Sequence, residues 1–170
     1  MNVFALSYNP VEAARWAVNK HVIKMVLETA QLLSAVSYQY GIPGPYKRTH
    51  QHHPCTLWAA ETWSNWNWLC EYGIALSEEY ERRYQRVHGS RAVIFWAADY
   101  GGRPKLRSPD LMTPFPQVMP EQYRRADPVE AYRAFYVGEK SRFAAWKPPA
   151  SQPPWWPDLI QASNPLVGMP

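Results

Sequence analysis

The feature that most constrains the fold is the stretch NKHVIKMVLETAQLL at residues 19–33. Apolar side chains fill most of its positions at spacings of three and four, which is typical of a largely buried helix. Side chains three or four residues apart share one side of a helix. The polar ones here are Lys20, Lys24, Glu28 and Gln31, with His21 at the edge. The stretch predicts a largely buried helix with one narrow polar face. That face is either a functional site or an ordinary solvated surface.

Proline placement marks further helix starts. In Asn9-Pro10 and Asp127-Pro128 a side chain that can cap a helix precedes a proline at the first helical position. Helical periodicity covers three ranges: roughly 10–38, 54–88 and 128–146. Gly89 is predicted to stop the second of them.

Proline and glycine limit how far the helices extend. Residues 99–127 are rich in both and show no regular period, and the tail after Trp146 holds many of the 17 prolines. The chain is about the size of one domain. We expect a mainly α fold and a single domain over residues 1–170. Its parts are a helical core at 1–98, an irregular excursion at 99–127, a helix at 128–146 and an extended aromatic tail at 147–170.

Composition narrows the function classes. The sequence has nine Trp and eleven Tyr but five Phe, so most of its aromatic rings carry an N–H or O–H and suit solvated grooves as well as cores. Its net charge of +4 favours an anionic partner, with nucleic acid as the first candidate. The start has no signal-peptide pattern, and no run approaches the length of a membrane span. Two cysteines, Cys55 and Cys70, are too few for a disulfide framework and predict buried thiols. We expect a cytoplasmic protein, or one of the host cytoplasm if it is phage-encoded, without a membrane partner.

A family resemblance sharpens these expectations. The first 33 residues are similar to the start of the pyrimidine-dimer DNA glycosylase family, in which bacterial members follow the pattern D-K-R/H-L-x-K-x-x-x-E-x-x-Q-x-L. The pattern falls on Asn19, Lys20, His21, Val22, Lys24, Glu28, Gln31 and Leu33. The segment HHPCTLWAAETWSNWNWLCEYGIALSEEYERRY resembles a second family stretch, so the likeness spans about residues 1–84. The aromatic tail resembles that of the phage endonuclease V type.

The resemblance implies cleavage of a thymine glycosidic bond followed by strand scission. In the phage members an N-terminal α-amine attacks the sugar, and a glutamate on the first long helix assists imine formation. Glu28 is the matching carboxylate. The phage enzymes expose a threonine amine after losing Met, whereas this sequence begins Met1-Asn2, so the amine would be that of Met1 or absent. The predicted catalytic residues are Glu28, Met1, Lys24 and His21.

A second set of side chains is predicted to contact nucleic acid. It consists of Asn2, Lys20, Gln31, Lys47, Arg48, His53, Arg82, Arg83, Arg86, Trp155 and Trp156. Each has an ordinary structural alternative, since arginines can simply cover a helix surface and tryptophans can pack in a core. His53 is expected to cap or orient something near Glu28 or to bind phosphate. The histidines of THQHHP are a weak metal pattern, so no metal and no cofactor are predicted.

The leading functional prediction is a monomeric DNA glycosylase that acts on damaged or modified thymine in double-stranded DNA by flipping the nucleotide, with or without AP-lyase activity. One alternative is a phage-type enzyme that transfers a group onto modified thymine with the same fold. Another is a nucleic-acid-binding module without catalysis. The polar face around Glu28 argues against the last alternative, while likeness of fold does not separate the first two.

Overall fold

The computed structural model describes residues 1–99, 104–106 and 111–157. Within them the protein is helical and contains no strand, which confirms the mainly α prediction. The helices are α1 (Pro10–Trp16), α2 (Asn19–Gln39), α3 (Pro54–Ala59), α4 (Trp63–Tyr84), α5 (Arg91–Ala98) and α6 (Pro128–Lys140). Short 3-10 turns occupy Glu121–Tyr123 and Ser141–Phe143.

Helices α2 and α4 form the centre of the fold. α2 packs against α3, α4 and α5, and α4 also packs against α1 and α5. A Cβ at Gly73 of α4 would come within 2.8 Å of the Thr29 side chain and 3.0 Å of the Ile94 side chain. Only glycine therefore permits α4 to approach α2 and α5 this closely. The helix that carries Glu28 is fixed by neighbours on several sides.

The predicted helix starts are confirmed. The Asn9 side chain accepts the backbone N–H of Val11 at 2.9 Å, and the Asp127 side chain accepts that of Val129 at 2.7 Å. Each cap is followed by a proline at the first helical position. α3 begins at Pro54 in the same way, but its capping residue is His53.

All three predicted helical ranges differ from the structure. The range 10–38 is two helices separated at Ala17 and Val18, which have extended backbone. The range 54–88 is broken between α3 and α4, and α4 ends at Tyr84 because Gln85 turns into the left-handed region at φ 55°, before the predicted stop at Gly89. The last helix ends at Lys140 rather than near residue 146.

Arg83 explains why α1 and α2 separate where they do. Its guanidinium donates to the Ala17 carbonyl at 2.8 Å and to the Arg15 carbonyl at 2.9 Å, so the open carbonyls at the end of α1 are satisfied. It also donates to Glu79 at 2.6 Å and to the Asn19 side chain at 3.0 Å. With 1% of its surface exposed, Arg83 is an interior residue. The prediction that it contacts DNA is wrong.

The prediction that α2 is buried except for one narrow polar face is also only partly correct. Ile23 and Leu27 are 44% and 40% exposed, although the apolar pattern predicted that they would be buried. They lie one helical turn apart, beside Lys20 and Lys24 on the solvent side. α2 therefore shows a mixed apolar and basic face rather than a narrow polar one.

The tail folds back onto the body as far as the structure describes it. Trp156 is buried, with ring centroids 5.0 Å from Trp146 and 6.5 Å from Tyr136. Trp155 is half-buried and packs edge-on against Trp16 at 5.9 Å. The rest of the predicted tail, 158–170, and parts of the predicted excursion, 100–103 and 107–110, lie outside the described residues.

Four tryptophans lie near residue 60, within the range 54–88 that the periodicity assigned to one helix. Trp58 lies on α3, whereas Trp66 and Trp68 lie on α4, and all three are buried. Trp63 at the start of α4 is half-buried. The rings are therefore mostly core.

The last two features of the fold concern the cysteines and the length of the apolar helices. Cys55 and Cys70 are free and buried, as predicted. Among the described helices, none is long and apolar enough to cross a membrane.

Replacing Arg83 should cost far more stability than replacing its exposed neighbour. We expect Arg83→Ala to lower the free energy of unfolding by about 3–5 kcal/mol, because the buried Glu79 carboxylate and the carbonyls at the end of α1 lose a partner. Arg82→Ala removes a more exposed arginine from the same carboxylate and should cost under about 1 kcal/mol. Urea unfolding measures both values, and equal costs would contradict the role assigned to Arg83.

Candidate active site around Glu28

Glu28 lies in the middle of α2 and is 7% exposed. Its Oε2 accepts the backbone N–H of Asn2 at 3.0 Å and lies 3.9 Å from the Met1 amine nitrogen. Its Oε1 lies 3.1 Å from Nζ of Lys24. A surface ion pair would leave the carboxylate in water, whereas this carboxylate is enclosed and has a partner for each oxygen. The solvated alternative for the polar face of α2 therefore does not describe Glu28.

The Met1 amine reaches Glu28 because the next few residues are apolar and buried. Val3, Phe4, Ala5 and Leu6 all belong to the core, which fixes this N-terminal segment against α2. The Met1 side chain is itself only 3% exposed, while the residue as a whole is half-buried. The exposed part of Met1 is therefore its backbone, so a group arriving from solvent can approach the start of the chain beside Glu28.

Lys24 occupies the outer side of this group. Its side chain is 67% exposed, and its ammonium reaches back to Glu28 one helical turn away. Lys20 is exposed on the same side of α2, and Gln31 is half-buried there. The structure brings together Met1, Lys24 and Glu28, three of the four residues predicted to be catalytic.

His21 packs beneath the site. Its ring stacks on Phe4 with centroids 4.2 Å apart, and its Nδ1 lies 2.5 Å from the hydroxyl of Tyr136. Burial, with Lys140 and Lys24 nearby, lowers the pKa of His21 to about 3. His21 was predicted to be catalytic, but a ring that is neutral at physiological pH and enclosed by aromatic side chains is not suited to donate a proton to a substrate. The structure assigns His21 to packing rather than to catalysis.

His53 holds the chain terminus from the other side. Its Nδ1 accepts the backbone N–H of Cys55 at 3.2 Å, and its ring makes a further hydrogen bond with the Met1 backbone. Burial, followed by the nearby N-terminal ammonium and His50, lowers the pKa of His53. A neutral imidazole fits this position, because one nitrogen accepts and the other donates. The expectation that His53 orients something near Glu28 agrees with these contacts.

Asn2 was predicted to contact DNA, but its polar atoms are used inside the protein. Its Nδ2 donates to the Val118 carbonyl at 2.9 Å, and its Oδ1 accepts the backbone N–H of Val3 at 2.8 Å. The side chain is therefore engaged in fixing the chain, which removes it from the predicted DNA contacts.

Two cations near the site escaped the sequence analysis. Lys140 ends α6 and Arg142 follows it in a 3-10 turn, more than 100 residues from α2. Burial is the main cause that lowers the pKa of Lys140, and the positive charges of Arg142 and Lys24 add to it. We name Lys20, Lys24, Lys140 and Arg142 the basic cluster. No local pattern joins its two halves, because only the packing of α6 brings them together.

Phe143 supports the basic cluster. The Lys20 ammonium lies 4.9 Å from the centre of its ring, and the Arg142 guanidinium lies 5.8 Å from it. Cations are attracted to the faces of aromatic rings, so Phe143 offsets part of the repulsion between them. The result is a positively charged surface beside Glu28.

The remaining predicted contacts are scattered. Lys47 and Arg48 are exposed in the loop after α2, and Arg86 is exposed just after α4. Arg82 is exposed but donates twice to Glu79. The structure does not join these residues to the basic cluster by any contact.

Two predicted features remain, namely the nucleic-acid contacts at Trp155 and Trp156 and the histidines of THQHHP. Trp156 is enclosed by other aromatic rings, so a base cannot reach its faces, and only the half-buried Trp155 keeps part of its surface free. In the part of the chain that the structure describes, no three His, Cys, Asp or Glu side chains are grouped so that they could hold a metal ion.

The lowered pKa of His21 should make stability depend on pH. The unfolded ring has a pKa near 6.5 and the folded ring one of about 3, so the unfolded state binds more protons between these values. The free energy of unfolding should therefore fall as pH drops below about 6.5, by up to about 1.4 kcal/mol per pH unit from this group.

Denaturation at several pH values measures this slope. His21→Phe keeps a ring on Phe4 but cannot titrate, so it should flatten the slope, while His52→Phe, at an exposed histidine, should not. An unchanged slope in His21→Phe would contradict the burial of a neutral ring.

Comparison with known proteins agrees with this geometry. Residues 1–91 match the family described as pyrimidine dimer DNA glycosylase. The matched segment is more than half of the 170 residues and contains Met1, Lys24 and Glu28. No curated protein and no solved structure matches the chain. The chain belongs to the pyrimidine dimer DNA glycosylase family.

Proposed function

We propose that this protein removes a damaged or modified thymine from duplex DNA and that Glu28 is its central catalytic group. The observation that carries the proposal is the enclosed carboxylate held between the Met1 amine at 3.9 Å and the Lys24 ammonium at 3.1 Å. The family supplies the substrate class, DNA, and the reaction class, glycosidic bond cleavage. Glu28 supplies the negative charge that this reaction needs.

The glycosidic step places positive charge on the sugar. As the C1′–N bond breaks, the base leaves with the bonding electrons and the sugar ring becomes cationic. A fixed carboxylate next to C1′ stabilises that cation, because it is already oriented and little water lies between them. In simple hydrolysis Glu28 would then accept a proton from the water that attacks C1′.

The amine of Met1 offers a second route, provided that it is free. Its nitrogen would bond to C1′ as the base departs, and Glu28 would take the proton that the amine loses. The sugar ring then opens, because the C1′–O4′ bond breaks as O4′ takes the proton back from Glu28, and an imine remains between C1′ and the Met1 nitrogen. This imine acidifies C2′, so loss of a proton there expels the 3′-phosphate and cuts the strand. An amine nucleophile next to a carboxylate base is a typical pairing for this chemistry.

The basic cluster would hold the DNA. Its four cations would contact phosphates, and the exposed Ile23 and Leu27 lie beside Lys20 and Lys24 on α2. Because Glu28 is enclosed, its target sugar cannot be reached within a stacked duplex. The nucleotide would therefore leave the stack, as in other enzymes that act on bases.

Glu28→Gln should abolish turnover while leaving DNA binding nearly intact. The amide keeps the shape and can still accept the Asn2 N–H, but it loses the charge and the ability to take a proton. We expect base release to fall by about 10²–10⁴-fold. Ultraviolet-irradiated duplex and duplex with hydroxymethyluracil serve as substrates, mass analysis detects the released base, and fluorescence anisotropy measures affinity.

The matched control is Glu130→Gln, which removes a carboxylate from a surface ion pair on α6 and should retain activity. Adding borohydride separates the two routes, because an imine is reduced to a stable protein–DNA adduct. Trapping that disappears when one residue is added before Met1 would support the amine route, whereas activity without trapping would leave hydrolysis by Glu28 alone. Full activity of Glu28→Gln on every duplex would overturn the proposal.

The basic cluster should govern the salt dependence of binding. Lysine and arginine contacts release counterions from phosphates, so Lys140→Gln and Arg142→Gln should each weaken binding regardless of sequence and lower the slope of log affinity against log salt by about 1. Arg15→Gln on α1 changes the net charge equally outside the cluster and should leave that slope nearly unchanged. Equal effects of all three variants would show that only net charge matters.

A further inference from the structure

Asn2 links Glu28 by hydrogen bonds to residues far away in the sequence. Its backbone N–H donates to Glu28 at 3.0 Å, while its side-chain amide is held at both ends inside the protein. The Met1 amine is one residue away from this backbone nitrogen. Any shift of Asn2 therefore moves the carboxylate and the amine relative to each other.

Much of what holds Asn2 comes from residues beyond the segment that matches the family. The hydroxyl of Tyr132, on α6, lies 2.9 Å from Oδ1 of Asn2 and 2.6 Å from the Pro116 carbonyl, so its single proton is shared between these two acceptors. The Asn2 amide nitrogen donates to the Val118 carbonyl in the same irregular stretch. Tyr132 thus ties α6, residues 116–118 and the start of the chain into one group.

The Tyr132 hydroxyl is suited to a fixed hydrogen bond. Its side chain is buried, and burial is the main cause that raises the pKa of Tyr132 well above its usual value. The phenol therefore keeps its proton throughout the pH range in which the protein works. Phe115 and Met119, which flank the Pro116–Val118 stretch, are buried too, so that stretch is anchored on both sides.

We propose that Tyr132 is a positioning residue, which sets the alignment of Glu28 and the Met1 backbone through Asn2. This inference rests on the proposed role of Glu28. Catalytic groups lose much of their effect when they are misplaced by about 1 Å, and cutting the support of Asn2 permits such a displacement. Tyr132 itself does not contact Glu28 in these hydrogen bonds, so it acts only through the intermediate residue.

Tyr132→Phe tests the proposal, and Tyr136→Phe is its matched control. Both tyrosines are buried on α6 one helical turn apart, and both hydroxyls make buried hydrogen bonds, but Tyr136 bonds to His21 and the Val18 backbone instead of Asn2. The two variants should lose similar stability. We expect kcat for base release to fall about 10–100-fold in Tyr132→Phe with KM unchanged, and to stay near that of the unmodified protein in Tyr136→Phe.

A double-mutant cycle identifies the route of the effect. Asn2→Leu removes the side-chain hydrogen bonds that hold residue 2 and keeps a large residue after Met1. If Tyr132 acts through Asn2, adding Tyr132→Phe to Asn2→Leu should lower kcat little further. Effects on kcat that simply multiply would overturn the proposal, and so would unchanged kcat in Tyr132→Phe.

A measurement without turnover separates this inference from the proposed function. Hydrogen exchange of the Asn2 backbone N–H, which donates to Glu28, should speed up about tenfold in Tyr132→Phe but not in Tyr136→Phe. If the unmodified protein released no base and this contrast appeared, the proposed function would fail while the positioning of Asn2 by Tyr132 would stand. Equal exchange in both variants would overturn the positioning itself.

Discussion

The hydrogen bond between the Asn2 backbone and Glu28 is the contact on which the candidate site depends. A buried carboxylate is costly unless its oxygens are paired, and Glu28 meets this need with a backbone N–H from the chain start and the ammonium of Lys24. The pairing obliges the first residues to lie against α2. The apolar residues from Val3 to Leu6 then hold them there by joining the core.

The same logic recurs at Arg83, where a buried charge joins two elements. Its guanidinium donates hydrogen bonds to the Glu79 carboxylate and to carbonyls at the end of α1 that have no partner within that helix. Because Arg83 belongs to α4, α4 fixes the point at which the chain turns into α2. Glu28 fixes the chain start to α2, and Arg83 fixes α1 to α4. Two enclosed charges therefore set the positions of the elements around the site, and well-packed apolar side chains fill the space between them.

The sequence predicted what depends on local chemistry and on spacing within one helix. The caps at Asn9 and Asp127 were correct because a capping side chain acts on residues two or three positions ahead. Lys24 and Glu28 were assigned correctly to one side of α2 because four residues make about one turn. The resemblance also located Glu28, since a family motif records an arrangement that spacing alone cannot distinguish from a surface ion pair.

The errors concern contacts between residues far apart in sequence. Arg82, Arg83 and Arg86 look alike as a basic stretch, yet only the packing of α4 against α1 decides that Arg83 turns inward. Trp156 was predicted to contact nucleic acid from an extended tail, but its ring packs between those of Tyr136 and Trp146. Lys140 and Arg142 were missed for the converse reason, because nothing near them in sequence indicates that α6 ends beside α2.

These long-range contacts divide the site between two parts of the chain. The groups proposed to meet the reacting sugar, Met1 and Glu28, belong to the segment that matches the family, whereas Lys140, Arg142 and Tyr132 lie beyond it. Part of the charge that would hold phosphates, and the hydroxyl that contacts Asn2, therefore come from residues beyond the matched segment. If both proposals hold, substitutions on α6 would alter how firmly DNA is held, or how well Glu28 is aligned, without changing the carboxylate itself. Residues beyond the matched segment would thus affect the rate of a reaction whose reactive groups, Met1 and Glu28, lie within it.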